Sequence, residues 1–310
     1  QRVTRPPMEM VDTIVVNNDN ANAQSGFDIT ITGLDALTGV QRAAFEDAEA
    51  QWESLITGYD ISSGISGPTI SARIEPIDGS GGTLGSAGPS RISIADGVIF
   101  ALDGRMRFDS ADVADLISEG TFGDVILHEM AHVLGFGTLW DNNSFAVDGS
   151  GEYTGLNAIE EFDSDFVTSP GGMVPMLGFV PVELGGGPGT SDSHWDESTD
   201  FEAADGSGPL ANELMTGFLN TTPPGSPVFI ADITLGQFRD LGFTTVATVP
   251  LEGDPLDFNG DQSVDIADLI EFINAFFDSG TLDPMLDFNQ DQSVDIADLI
   301  SYINAFFSTP

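Results

Sequence analysis

The string His128-Glu129-Met130-Ala131-His132 sets two imidazoles four residues apart, with a carboxylate beside the first. On a helix those two positions share one face. Both rings can then bind one tetrahedral zinc, leaving Glu129 to handle a proton. A catalytic zinc takes three protein ligands and keeps one position open for water. The 310-residue chain has only three histidines, so His194 is the obvious third ligand. The bare pentapeptide also arises by chance in ordinary helices, but its surroundings narrow the reading. Gly135 follows His132 three residues on, and Val125, Ile126, Val133 and Leu134 flank the string with side chains suited to burial. One zinc in such a site lowers the pKa of water to about 7 and polarises a carbonyl. Glu129 is then the general base that takes the proton and passes it to a leaving amine.

Elements must position these groups. Thr121, with Asp124 three residues on, predicts a capped helix start and a helix from about Phe122 to Leu134. Gly135 is placed to end it and turn the chain beneath the metal. Upstream, Phe27, Ile29 and Ile31 alternate as in a strand, and Ile70 to Ile77 alternates again. Thr38 to Ile56 reads as a helix, with Val40, Phe45, Ala48, Trp52 and Leu55 on one stripe. Gly79 to Ser90 reads as a Gly/Ser-rich loop. Short strands follow near Ile92–Ile94, Val98–Leu102 and Arg105–Phe108, then a short helix over Ala111–Ser118. The Gly/Pro-rich stretch from Asp141 to Pro209 holds His194 and few regular elements; Thr234 to Leu241 is a last helix. This order predicts an α+β fold, a twisted mixed sheet plus the helix that carries the site.

Two more features lead to a family. Asn212-Glu213-Leu214-Met215-Thr216-Gly217 resembles a Met-turn, and His-Glu-x-x-His-x-x-Gly is the spacing of the metzincin zinc peptidases. Their usual third ligand falls three residues after the glycine, which here is Thr138, a poor zinc ligand. A third histidine displaced into Ser193-His194-Trp195, followed by Glu213-Leu214-Met215, resembles leishmanolysin. The similarity covers residues 25–245. It implies a secreted zinc endopeptidase that binds extended peptides along an edge strand. His128, His132 and His194 would be its ligands, Glu129 its base and Met215 its Met-turn residue. The chain lacks the disulfides and the inhibitory cysteine of that family, having no Cys at all. Trp195 is placed to brace His194, and Tyr153 to assist an oxyanion.

The tail contains a repeat. Asp257-Phe258-Asn259-Gly260-Asp261-Gln262-Ser263-Val264-Asp265-Ile266-Ala267-Asp268 returns from Asp287, with Gln290 in place of Gly260. Asp257, Asn259, Asp261, Asp265 and Asp268 occupy positions 1, 3, 5, 9 and 12 of a calcium loop, and Ser263 offers a carbonyl at position 7. Asp287, Asn289, Asp291, Ser293, Asp295 and Asp298 do the same in the second copy. Two Ca²⁺ ions are expected. Each loop runs into an apolar helix, through Leu269, Ile270, Ile273, Phe276 and Phe277, or Leu299, Ile300, Ile303, Phe306 and Phe307. The pattern resembles a type I dockerin, whose usual partner is a cohesin; a purely structural calcium domain is the rival. The predicted order is an arm over 1–24, a zinc peptidase domain over 25–245, a linker over 246–254 and the calcium module over 255–310. Asp141, Asp148, Asp163 and Asp165 are weaker candidates for further calcium.

Composition narrows the partners. Fifty Asp and Glu stand against eight Arg and no Lys, a formal charge of −42. That argues against nucleic acid and anionic membranes and suits a salty or calcium-rich exterior. No run of about 18 apolar residues is present to span a bilayer. The chain opens on Gln1, as a trimmed chain would, and shows no signal peptide, which leaves export open. A secreted or surface-associated location and a protein or peptide substrate are therefore expected. Two other functions fit the same residues: a catalytically idle surface-attachment protein, and a zinc amidase acting on cell-wall peptides.

Overall fold

The computed structural model describes residues 14–16, 26–168, 177–187, 189–198, 201–203, 208–219 and 228–246, with residues 269–270, 272–273, 276, 296, 299, 301–303 and 306 of the tail. The chain forms two compact units, Gln1–Val246 and Ala247–Pro310. The first is mixed α+β. Its elements run β1 (Ile14–Val16), β2 (Thr30–Thr32), α1 (Gly39–Leu55), β3 (Ile56–Tyr59), β4 (Thr69–Glu75), β5 (Gly85–Ala95), β6 (Val98–Asp109), α2 (Val113–Glu119) and α3 (Phe122–Leu134). Then come β7 (Glu152–Tyr153), α4 (Leu156–Asp165), β8 (Phe166–Thr168), β9 (Val180–Pro181), β10 (Phe201–Ala203), α5 (Asp232–Asp240) and β11 (Phe243–Thr245).

Five strands form the main sheet in the order β1-β5-β6-β4-β2. β2, β4 and β6 run parallel, and β5 runs antiparallel to β6. Alternation sends Ile70 and Ala72 of β4 and Met106 and Phe108 of β6 into the core. α1 starts at a capping box: Thr38 accepts from the Gln41 amide, and the Gln41 side chain accepts from the Thr38 amide. Phe45, Ala48 and Trp52 form its buried stripe, whereas Val40, expected on that stripe, is exposed in the first turn. The Trp52 indole donates to the Leu127 carbonyl at 2.9 Å, tying α1 to α3.

Where α3 crosses the sheet, Gly104 of β6 meets Val133, and a Cβ on residue 104 would overlap that side chain. Gly104→Ala is therefore expected to destabilise the fold by about 1–3 kcal/mol. Adding Val133→Ala should recover part of the loss, read as denaturant midpoints at constant slope.

Three sequence readings change. The stretch from Gly85 to Ser90, expected as loop, is the first half of β5. Its small residues have little strand propensity, but β5 pairs along β6 from Gly85↔Phe108 onward and packs on α3, so tertiary pairing decides. The two short strands expected over 98–108 are one strand, β6. The 141–209 stretch contains a ten-residue helix, α4, which packs on α5.

On α1, Glu49 is half-buried; burial, then the neighbouring Glu53, Asp28 and Glu46 charges, push its carboxyl up to about 7. A folded-state value above the unfolded one means the native chain holds the extra proton, so stability falls as pH rises from about 4.5 to about 7. Glu49→Gln should raise stability above pH 7 by on the order of 1 kcal/mol, allowing for solvent screening, and flatten that window of a stability–pH profile.

In the second unit, the described apolar residues after each repeat loop are helical. Leu269, Phe272, Leu299 and Tyr302 form a small core in which Phe272 and Tyr302 stack 3.9 Å apart. The twelve expected calcium ligands, Asp257 to Asp268 and Asp287 to Asp298, lie outside the described residues.

Candidate metal centre

α3 spans Phe122–Leu134, as the pattern predicts, although the Thr121 hydroxyl makes no capping bond. The helix is buried almost all round, so its polar residues are enclosed with it. Gly135 ends it at φ 120°, a conformation that side chains rarely adopt. Its amide returns to the Ala131 carbonyl, and Thr138 donates its hydroxyl to the His132 carbonyl at 2.7 Å. Thr138 thus closes the helix end, at the position where the usual third ligand would stand.

The displaced third histidine arrives on a woven segment. The Glu183 amide donates to the His194 carbonyl at 2.9 Å, and the Trp195 amide donates to the Met215 carbonyl at 3.0 Å. Trp195 is fully buried, stacked on Trp140 and edge-on to Phe136, both from the turn after α3. Gly137, at φ 65°, packs so closely on Ser193 that a Cβ would strike it. Aromatic packing and this contact bring residue 194 back to the helix across 62 residues of chain.

The result is a triangle of nitrogens. The Nε2 atoms of His128 and His132 are 3.0 Å apart, those of His132 and His194 3.0 Å, and those of His128 and His194 3.1 Å. All three rings are buried. Each Nδ1 faces a backbone carbonyl: Leu214 for His128 at 2.7 Å, Phe136 for His132 at 2.9 Å, Thr190 for His194 at 2.8 Å. A carbonyl only accepts, so each Nδ1 carries the hydrogen and each neutral ring presents an Nε2 lone pair inward. Three convergent lone pairs in a buried place repel one another unless a cation lies between them. Ligands bound to one tetrahedral zinc at about 2.0–2.1 Å stand roughly 3.3 Å apart, so the triad fits that ion. Burial also lowers the His128 pKa to about 4, against the bond to Leu214, which keeps the ring neutral.

Glu129 is fully buried, and among the described residues neither carboxylate oxygen has a hydrogen-bond partner. Burial pushes its pKa well above the ordinary 4.5, opposed by the Arg107 charge. A buried carboxylate without partners is costly and marks a group kept for something else. Room for it comes from Gly85, where a Cβ would stand 2.5 Å from its Oε1. The loop that delivers Gly85 is pinned from below. Asp109 accepts from the amides of Asp78 and Gly79 at 2.8 Å, and Asp112 from Gly81 at 2.7 Å. The amide of Ala111 above all, then those of Asp78 and Gly79, hold the Asp109 carboxyl down at about 2.

Met215 is buried in the turn that follows Leu214, the residue whose carbonyl orients His128. Beside the triad lies a small, shallow depression with room for about one water, lined by apolar Val125, Leu214 and Phe218 and by polar His128, Asn212 and Thr216.

Some expected site residues stand elsewhere. Tyr153 does not reach the triad: its buried hydroxyl donates to Asp240 at 3.1 Å in the α4–α5 contact. Asp141, Asp148, Asp163 and Asp165 do not assemble; besides the histidine triad, the close cluster of metal-capable side chains among the described residues is Glu161, Asp165 and Asp232, with Glu161 paired to Arg239. The carbonyls that fix the three rings carry no signal in residue type. Gly85 and Glu213 left faint ones: a glycine opening a strand, and an acid inside an apolar turn.

Compared with known protein families and with curated proteins, the chain matches none.

Proposed function

We propose that this chain is a zinc-dependent endopeptidase of the leishmanolysin-like metzincin type. The observation that carries the reading is the triad: three buried Nε2 atoms within 3.0–3.1 Å, each ring locked by a carbonyl on its other nitrogen, with the unpartnered Glu129 carboxylate next in sequence to His128. His128, His132 and His194 would hold the ion. Zinc in such a site acidifies water and polarises the scissile carbonyl. Glu129 takes the water's proton and returns it to the leaving amine. Among the described residues Glu129 has none of the partners that a structural carboxylate would have.

Substrate binding follows from β5. Among the described residues, β6 pairs along β5 and β1 adds to its other edge at Ile92–Ile94; we take the Gly85 end of that edge as the place where a substrate strand would add. An extended peptide would bond there through its backbone, as strands add to a sheet edge. The same reading assigns the tail repeat, on its residue spacing, to a calcium-dependent docking module with two Ca²⁺ and a cohesin-like partner. Acidity and the family resemblance support a location outside the cell.

The test is digestion of an unfolded protein, such as casein, by zinc-loaded enzyme in calcium. Cleavage that stops with a zinc chelator and returns with zinc supports the reading. Zinc bound at one equivalent, with no cleavage of casein or of a peptide panel, overturns it.

A further inference from the structure

We infer that Glu213 is the positioning residue of the metal centre: one buried carboxylate that ties the segment of His194, the turn that orients His128 and the start of α5 into a single unit. The inference rests on reading the triad as a zinc site. Glu213 is 1% exposed, and every group bonded to its carboxylate donates. Its Oε2 accepts from the Met215 amide at 2.5 Å, and its Oε1 accepts from the Thr234 hydroxyl at 2.7 Å and the Ala231 amide at 3.2 Å.

Each donor leads to a different part of the site. The Met215 amide closes the turn around Leu214, whose carbonyl receives the His128 Nδ1 hydrogen. Thr234 passes the link on: its oxygen accepts from the Trp195 indole at 3.0 Å while its hydrogen goes to Glu213. Trp195 follows His194 directly, and its own amide bonds to Met215. The Ala231 amide is at the start of α5, a helix whose first residues have no side-chain cap, so Glu213 supplies an acceptor and a negative charge where the helix dipole favours one. A hydroxyl that accepts from an indole can donate only once, so the chain from Trp195 through Thr234 has one direction and ends on an acceptor. A carboxylate meets both sets of donors. An amide of the same shape meets one set and turns its own N–H₂ toward the other.

This makes a sharp test. In holoprotein stripped and reloaded, zinc affinity is measured by competition with a chromophoric chelator, and cobalt(II) is substituted to record its visible spectrum. Glu213→Gln is expected to lower zinc affinity by about 10–100-fold, the range for groups that orient metal ligands, and to shift the cobalt bands. Glu213→Asp, which keeps the charge, should recover part of the affinity. Thr234→Val, which cuts only the link to Trp195, should lie between wild type and Glu213→Gln; it decides the question if Glu213→Gln does not fold. Wild-type affinity and an unshifted cobalt spectrum in these variants, with the metal-free protein merely less stable, would reduce Glu213 to core structure and overturn the inference. A wild type that binds no zinc would instead overturn the metal reading beneath it.

Discussion

Glu129→Gln is expected to lower peptide hydrolysis by about 10²–10⁴-fold, the usual worth of a positioned general base, with zinc content unchanged. The substitution is nearly isosteric, and Glu129 holds no structural bond among the described residues, so no fold-supporting contact is lost. Burial already disfavours the ionised form of Glu129, so a neutral amide in its place adds little cost to folding. The variant should therefore be about as stable as wild type while losing activity. That combination separates a group kept for chemistry from one kept for packing, since core substitutions cost stability first. Assays of turnover, metal content and unfolding on one preparation check it. Activity within a few-fold of wild type would remove Glu129 from the proton transfer. The converse probe is Gly85: a methyl there meets the Glu129 carboxylate and should displace it, reducing turnover with the metal still bound.

The local chemistry was legible because it obeys short-range rules. A helix puts residues 128 and 132 on one face whatever surrounds it, and Gly135 marks the end of α3; its start falls where Thr121 and Asp124 predict, though without the hydroxyl cap that predicted it. His194 was legible by scarcity, as the chain's remaining histidine. What brings it to the helix was not. The contacts of Trp195 with Phe136 and Trp140, and of Gly137 with Ser193, are long-range packing, and no periodicity encodes them. Residues 85–90 show the same limit from the other side. Gly-Ser-Ala-Gly-Pro-Ser has the composition of a loop, yet pairing with β6 makes it strand, and the lack of side-chain bulk is what lets it lie against Glu129. Residues poor in local signal thus proved rich in contact. Tyr153 erred in the opposite sense: a phenol fit for an oxyanion is used in the core, bonded to Asp240. The α+β class could be read from element order, while the strand order β1-β5-β6-β4-β2 is set by pairing between distant segments.

Metal removal is expected to lower the stability of the first unit by about 4 kcal/mol when free zinc had stood about 1,000-fold above its dissociation constant. In a unit of this size each kcal/mol moves the melting midpoint by roughly 2–4 °C, so chelation should lower it by roughly 8–16 °C. The reason is in the triad. Without a cation the three Nε2 lone pairs face one another at 3.0–3.1 Å inside the protein, each fixed there by a carbonyl on Nδ1. A ring that swings away to relieve this gives up its carbonyl bond. His194 is the ligand with most freedom to do so, because it lies on an irregular segment while the other two lie on a buried helix. Loss of zinc should therefore loosen residues 189–198 before it loosens α3, visible as faster amide exchange in that segment. His194→Ala makes the check independent of catalysis: it removes one corner of the triangle, so the melting midpoint should no longer respond to zinc or to chelator. A zinc response that survives in His194→Ala would mean that the stabilising ion binds elsewhere in the chain.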